Sequence, residues 1–337
     1  MTNSPLRVAY MLEDTALAGG IRVAVAQADA LVVRGHEVTL ITKGEPLTWR
    51  ESHGRWQFVP TFDEVDPTPY DFVIGTFWKT IPFVYRIAGP RAIHLCQGYE
   101  GSFTAYRDLK PQIDAAYALP VPKITVSPHL VQICTRFTPD ATYIGQIVDA
   151  IFYRQPEFRQ GARPRVLLAG PMEADFKGVD VGYEAVRAAR KRGAEFDLVR
   201  VSQWPPMHNE PIDLAAEFHV GLASADMARL VASADVFLGP SRHEEGFGLP
   251  AAESMASGLA TVLAEIPSFL SFDGARDYAL WAPEGNGAAM GEQLVRILSD
   301  APLRRRIALR GREVVEQFRA HHTALRLERY FLDRRAR

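Results

Sequence analysis

Pro240-Ser241-Arg242-His243-Glu244-Glu245-Gly246-Phe247-Gly248-Leu249-Pro250-Ala251-Ala252-Glu253 is the stretch that decides how this chain is read. It follows a short apolar strand, Asp235 to Leu238, and leads into a helix. Pro250 suits the first helical turn, where a missing N–H costs nothing. Gly258 suits the C-terminal stop. Gly246 to Leu249 therefore form a glycine-bearing loop aimed at a helix N-terminus. Free backbone N–H groups and the positive end of the helix dipole make such a place an anion site, above all for phosphate. Glu245 and Glu253 flank it with seven residues between them. A carboxylate beside a phosphate is electrostatically awkward unless it accepts hydrogen bonds from hydroxyls of the same ligand, which means a sugar or a ribose. The competing reading is a plain strand–loop–helix with two solvated glutamates. The number of specified positions in register argues against it.

Working outward, 337 residues suit two cores rather than one. An apolar content of 47% and a charged content of 23% are those of an ordinary globular protein. A formal charge of −2 excludes the strongly basic class of nucleic-acid binders. Cys96 and Cys134 are the two cysteines, and neither sits in a metal-type spacing; the expected compartment is reducing. No signal peptide is expected from the apolar run Val8 to Leu12, and no stretch has the length of a membrane-spanning helix.

Taken in order, Arg7 to Met11 reads as a buried strand. The connection Ala16-Leu17-Ala18 and the pair Gly19-Gly20 then open a helix with Ile21, Val25, Ala28 and Val32 on one face. Glu37 to Thr42, Asp71 to Gly75, Arg91 to Cys96 and Ile124 to Val126 read as further strands, and Ile81 to Ile87 as a helix. Ligands of open α/β sheets sit beyond the carboxyl ends of strands, so Gly19, Gly20, Thr76, Gln97, Glu100 and Ser127 are candidates. Ser127 also reads as the cap of a helix through Val131 and Cys134. A tight turn is the competing reading for the glycine pair, and water-facing loop residues for Gln97 and Glu100. Pro156, Gln160, Gly161 and Pro164 have linker composition. The alternation then resumes with strands Arg165 to Leu168, Phe196 to Val201, Asp235 to Leu238 and Ala260 to Ala264. The helices start at Lys177-Gly178, at Ser224 and near Gly291. Lysine is scarce here and arginine abundant, so Lys177 at a helix start stands out. A compact ammonium there would stabilise charge on a departing diphosphate. The stretch Pro302 to Arg337 reads as helical and crowded with arginine, a solvated face first and a face for anionic lipid or polysaccharide second.

The run Glu245-Gly-Phe-Gly-Leu-Pro-x-x-Glu253 resembles the E-x7-E signature of the retaining GT-B glycosyltransferases of family 4. The run Gly-Gly-Ile-Arg with Arg-Gly-His-Glu-Val-Thr resembles the N-terminal domain of that family, and Ile144 to Arg154 its interdomain segment. Gln97-Gly98-Tyr99-Glu100 resembles a variant in relatives that act in bacterial surface polysaccharide synthesis, where many other members carry a histidine near the Gln97 position. The resemblance implies that Glu245 orients the donor sugar and Glu253 holds the ribose. Gly246, Phe247, Gly248 and Leu249 would meet the diphosphate through their backbone, with Lys177 and the Gly19-Gly20 turn. A family arginine should fall where Pro171 stands; Arg242 is the expected substitute.

The expected fold is α/β of the GT-B type, two Rossmann-like domains with parallel sheets facing across a central cleft. The expected bounds are 1–155 for an acceptor-side domain, 163–317 for a donor domain, and 318–337 for a helix crossing back to the first. The expected reaction moves a sugar from a nucleotide-diphosphate sugar to a glycan or lipid-linked acceptor, with retained configuration. No metal is expected, because no Asp-x-Asp lies at a strand end, and no other cofactor or nucleic acid is expected. The expected location is cytoplasmic, with peripheral contact at the inner membrane face as an option. A sugar-nucleotide 2-epimerase and a non-catalytic nucleotide-sugar binder are the alternatives.

Overall fold

A computed structural model of the chain describes residues 4–16, 19–154 and 163–336. Leu17 and Ala18 of the first connection, the linker residues Pro156, Gln160 and Gly161, and the domain boundary placed at 155 lie outside the described residues. The chain divides into two compact units, one formed by residues up to Ile147 together with Phe318 onward, the other by Val148–Gln317.

The first unit runs β1 (Arg7–Leu12), α1 (Gly19–Val33), β2 (Glu37–Thr42), β3 (Arg55–Phe58), β4 (Phe72–Gly75), α2 (Ile81–Ala88), β5 (Ala92–Cys96), α3 (Lys110–Ala118), β6 (Lys123–Thr125), α4 (Pro128–Cys134) and β7 (Ala141–Tyr143). Its strands form one parallel sheet in the order β3-β2-β1-β4-β5-β6-β7. β1, β4 and β5 are apolar and buried on both faces, as parallel strands covered by helices must be.

The second unit runs β8 (Arg165–Ala169), α5 (Val179–Lys191), β9 (Asp197–Ser202), β10 (Glu217–Val220), α6 (Ser224–Ala232), β11 (Val236–Gly239), α7 (Leu249–Ala256), β12 (Ala260–Ala264), α8 (Pro267–Leu270), β13 (Leu280–Ala282), α9 (Gly287–Ser299) and α10 (Ala301–Val315). Its parallel sheet has the order β10-β9-β8-β11-β12-β13. α11 (Ala320–Arg335) belongs to the first unit.

Each sheet reverses direction once, between β1 and β4 and between β8 and β11. Loops leaving neighbouring strands on opposite sides of that point open a crevice at the carboxyl edge, where doubly wound sheets bind ligands. Every candidate site residue outside the α7 helix, Ser127 apart, follows β1, β4, β5, β8 or β11.

Three local expectations change. α1 is buried over more than one stripe: Val23, Ala24, Val25, Ala28 and Leu31 are all inaccessible, while Ile21 and Val32 are half-buried. The cause is α11, whose Ala324 packs with Ala30 and Ile147 and covers the side that would otherwise face water. Lys177 does not begin a helix but ends a 3-10 turn, Asp175–Lys177, and Gly178 holds the cap position of α5. Ser224 is the first helical residue of α6, with Ala223 at its cap.

Candidate functional site

In the second unit the site grows from the β8/β11 pair. Leu238 lies opposite Leu168 in register, so the two loops that follow leave the sheet side by side. After β8 the chain turns at Gly170, whose φ is +123°, and reaches the 3-10 turn that ends in Lys177. Gly178 has φ +60°, and a Cβ there would sit 2.1 Å from the Pro240 carbonyl oxygen. Only glycine lets the Lys177 turn lie this close to the loop after β11. The contact is closed by the Arg242 N–H, which donates to the Phe176 carbonyl at 2.8 Å.

This apposition brings Lys177 Nζ to 2.7 Å from Glu245 Oε2. Ser241 Oγ donates to the same oxygen at 3.2 Å. The side chains of Lys177 and Glu245 are 18% and 8% exposed, so the pair is shielded but reachable from one side. The ammonium also stands 5.0 Å over the Phe176 ring. Arg242 is held differently from the expectation: its guanidinium donates to Asp180 Oδ2 at 2.7 Å and to the Asp175 carbonyl at 3.0 Å. It braces the Lys177 turn against α5.

The glycine loop is built as its sequence suggests. Gly248 caps α7 with φ +90°, and a Cβ on it would meet Phe269 Cε1 at 2.2 Å. Phe247 is buried and packs on Phe272, centroids 5.0 Å apart, so only its backbone can serve a ligand. Pro250 lies in the first turn of α7. At the other end Gly258 (φ +83°) donates to the Met255 carbonyl and Leu259 to the Ser254 carbonyl, a Schellman stop. Glu253, one turn after Leu249 on the same face, is 1% exposed. Among the described residues one cluster could ligate a cation: His243, Glu244 and Glu284, whose ligand atoms lie within 4.8 Å of one another. His243 Nδ1 is 2.8 Å from Glu284 Oε1, and that bond holds the imidazole above its usual pKa.

In the first unit the structure joins Gly20, Thr76, Gln97 and Glu100. The Gln97 amide lies 3.5 Å from where a Cβ on Gly20 would stand, and its Nε2 donates to the Thr76 carbonyl at 3.3 Å. Thr76 Oγ1 donates to the Met11 carbonyl, tying the ends of β4 and β1. Glu100 accepts from Tyr117 OH at 2.5 Å and from the Trp78 backbone. Burial raises its pKa, and those hydrogen bonds pull the other way. Ser127 stands apart, beyond β6, with its hydroxyl 2.9 Å from His129 Nδ1. Sequence reasoning gave no role to Ser241 or Phe176, and none at the site to Trp78. Ser241 lies inside the quoted motif and could have been found by its spacing to Glu245. Trp78 carries no motif.

Two all-parallel, doubly wound sheets, one carrying a glycine loop at its switch point, give an α/β fold of the GT-B type. Residues 163–300 match the family model of the glycosyl transferases group 1. It is 31% identical over 94 residues to the phosphatidyl-myo-inositol mannosyltransferase of Mycobacterium leprae; that stretch is 28% of this chain and spans only 25% of the relative. Two solved structures share the fold throughout. A glycosyltransferase from Rickettsia africae superposes with a TM-score of 0.77 at 13% identity, over 98% of this chain and 99% of that one. HepE of Anabaena in complex with UDP-glucose gives 0.79 at 13% identity, over 97% and 100%. Among the described residues no helix is long and apolar enough to cross a membrane.

Proposed function

We propose that this protein transfers a glycosyl group from a nucleotide-diphosphate sugar to a glycan or lipid-linked acceptor with retention of configuration. The observation that carries the reading is the Lys177–Glu245 pair, 2.7 Å apart beside the Gly248 loop at the β8/β11 switch point. One residue supplies a cation for a diphosphate and the other a hydrogen-bond acceptor for sugar hydroxyls, and the glycine loop supplies backbone amides between them. The HepE complex with UDP-glucose shows that this fold holds such a donor.

In this reading Lys177 and the amides of Gly248 and Leu249 stabilise the diphosphate as it leaves. Glu245 orients the donor sugar and Glu253 binds the ribose; within the first unit, Gly19-Gly20 and Gln97 are the candidates for ligand contact. No covalent nucleophile is assigned; the acceptor attacks the anomeric carbon from the face the leaving phosphate departs, and that phosphate takes the acceptor proton. The diphosphate charge is met by Lys177 and backbone, so no metal is required.

The test is a thermal-shift and hydrolysis screen with UDP-, GDP- and dTDP-sugars, each with and without EDTA. The expected result is a large shift from one nucleotide with slow, EDTA-insensitive release of nucleoside diphosphate. Glu245→Ala should lower turnover by about 100-fold or more with nucleotide affinity largely kept, whereas Glu253→Ala should weaken nucleotide binding. No shift from any nucleotide sinks the reading. EDTA sensitivity abolished by replacing His243 would move the metal to the His243–Glu284 cluster and overturn metal independence. An isomerised nucleotide sugar as product would make the protein an epimerase.

A further inference from the structure

Among the buried polar atoms of the first unit that lack a hydrogen-bond partner, two lie on the loops that follow β4 and β5. Trp78 Nε1 and Gln97 Oε1 are both shielded from solvent and have no hydrogen-bond partner. Leaving such groups unpaired costs about 1–3 kcal/mol each, so a fold keeps them for a reason. They lie on two loops that are laced together at the carboxyl ends of β4 and β5. Gln97 Nε2 donates to the Thr76 carbonyl, and the Trp78 backbone N–H donates to the Glu100 carboxylate. One orphan is a donor and the other an acceptor.

Around them the sequence places rings. Phe77 lies 5.9 Å from Trp78 and 6.4 Å from Tyr106, and Tyr106 lies 6.2 Å from Phe103. All four are half-buried, so each presents part of its surface. None of the three pairs is stacked face to face; their planes are inclined by 54°, 60° and 39°. Four half-buried rings therefore lie near one another, on and beside the two loops that carry the unpaired donor and acceptor.

From this juxtaposition we infer that the aromatic surface of Phe77, Trp78, Phe103 and Tyr106, with Trp78 Nε1 and Gln97 Oε1, is a binding subsite for a neutral saccharide ring. A pyranose has C–H faces that lie against aromatic carbon and hydroxyls that both donate and accept, so it satisfies the rings and both orphans at once. An acyl chain would satisfy the rings and leave both orphans unpaired. A phosphate would take the indole N–H and be repelled by the Gln97 carbonyl oxygen and by Glu100 beside it. Resting on the proposed transferase reading, this ring belongs to the acceptor.

The experiment uses the full chain, 15N-labelled, with the Trp78 indole resonance identified by Trp78→Phe. Methyl α-D-glucopyranoside, methyl α-D-mannopyranoside, methyl α-L-rhamnopyranoside and N-acetylglucosamine are titrated in turn, followed by anionic phospholipid vesicles. At least one saccharide should move the Trp78 indole resonance. Tyr106→Ala and Gln97→Ala should each weaken that saccharide about tenfold, the worth of one hydrogen bond or ring contact. Movement caused by vesicles and by no saccharide overturns the inference, as does saccharide binding unchanged in Tyr106→Ala and Gln97→Ala. Nucleotide-sugar thermal shifts measured on Tyr106→Ala and Trp78→Phe report the second unit independently. A protein that binds nucleotide sugar and moves no indole resonance with any saccharide keeps the transferase reading and loses the subsite.

Discussion

His94 shows how a single side chain ties fold to solvent conditions. It lies in the middle of β5, 1% exposed, with its ring edge-on to Tyr117 at 4.7 Å and with Nδ1 unpartnered. Burial first, and the Lys123 ammonium second, push its pKa down to about 3. The unfolded chain takes up this proton near pH 6.5, the folded chain only near 3. Between those values the unfolded state holds the extra proton, so this residue's contribution makes stability fall as pH falls, by up to about 1.4 kcal/mol per pH unit. Glu100 acts in the opposite sense, since its raised pKa lets the folded state keep a proton longer. The comparison must therefore hold Glu100 fixed. Urea midpoints of the parent and of His94→Gln, taken from pH 7 to pH 5, should show a shallower acid-side loss in the variant; parallel curves would mean that His94 does not couple folding to protons. At this scale the sequence points to candidates where chemistry is written as spacing. Glu245, Gly248 and Glu253 stand in one motif, and Lys177 is conspicuous as one of few lysines, although it ends a 3-10 turn and does not begin a helix. What could not be read is which atoms pair. That Arg242 turns to Asp180, or that Trp78 Nε1 is left without a partner, depends on side-chain directions that no spacing encodes.

Among elements, the strands divide into those that announce themselves and those that do not. The nine strands expected from apolar runs are the interior of the two sheets. The four that were not expected, β3, β7, β10 and β13, are the edges. An interior parallel strand is covered on both faces and paired on both sides, so it reads as continuous Val, Ile and Leu. An edge strand such as Glu217-Phe-His-Val220 is only half-buried and reads as loop. The same logic singles out the turn between Lys177 and α5 as the element on which the site depends. Gly178 is held at φ +60° with the Pro240 carbonyl where its Cβ would be. Gly178→Ala meets two penalties: about 1–2 kcal/mol for the left-handed conformation and about 1–3 kcal/mol for displacing backbone. Since Pro240 cannot yield as a flexible side chain could, relief comes by moving Lys177 away from Glu245. The variant should lose about 2–5 kcal/mol in urea unfolding and lose donor turnover with it. Parent-like turnover in Gly178→Ala would show that the Lys177 turn need not sit where it does.

At the scale of the whole molecule, the chain order and the units do not coincide. α11 is the last element in sequence, yet it packs in the first unit, against the first helix. Its attachment is specific. Phe331 is inaccessible and stacks on Phe72 of β4 with centroids 5.1 Å apart. Thr323 Oγ1 donates to the Gln146 carbonyl at 2.8 Å, and Glu328 takes the Arg34 Nε–H at 3.0 Å and lies 3.1 Å from His36 Nε2. Seen from the sequence, this end of the chain is a run of arginines, and charge dominates its reading. The structure gives the same helix an inner stripe of Thr323, Ala324, Leu327 and Phe331 at spacings of one, three and four, which is what fixes it. Phe331→Ala should therefore cost about 3–5 kcal/mol, the usual loss for a buried aromatic. The location of that loss is the sharper expectation. Hydrogen exchange should quicken in β1, β4 and α1, while β8, β11 and α7 keep their protection and the second unit keeps its response to nucleotide. Equal loss of protection in both sets of strands would mean that the C-terminal helix stabilises the whole chain as one body, and the division at Ile147 and Phe318 would then be a division of contacts without a division of stability.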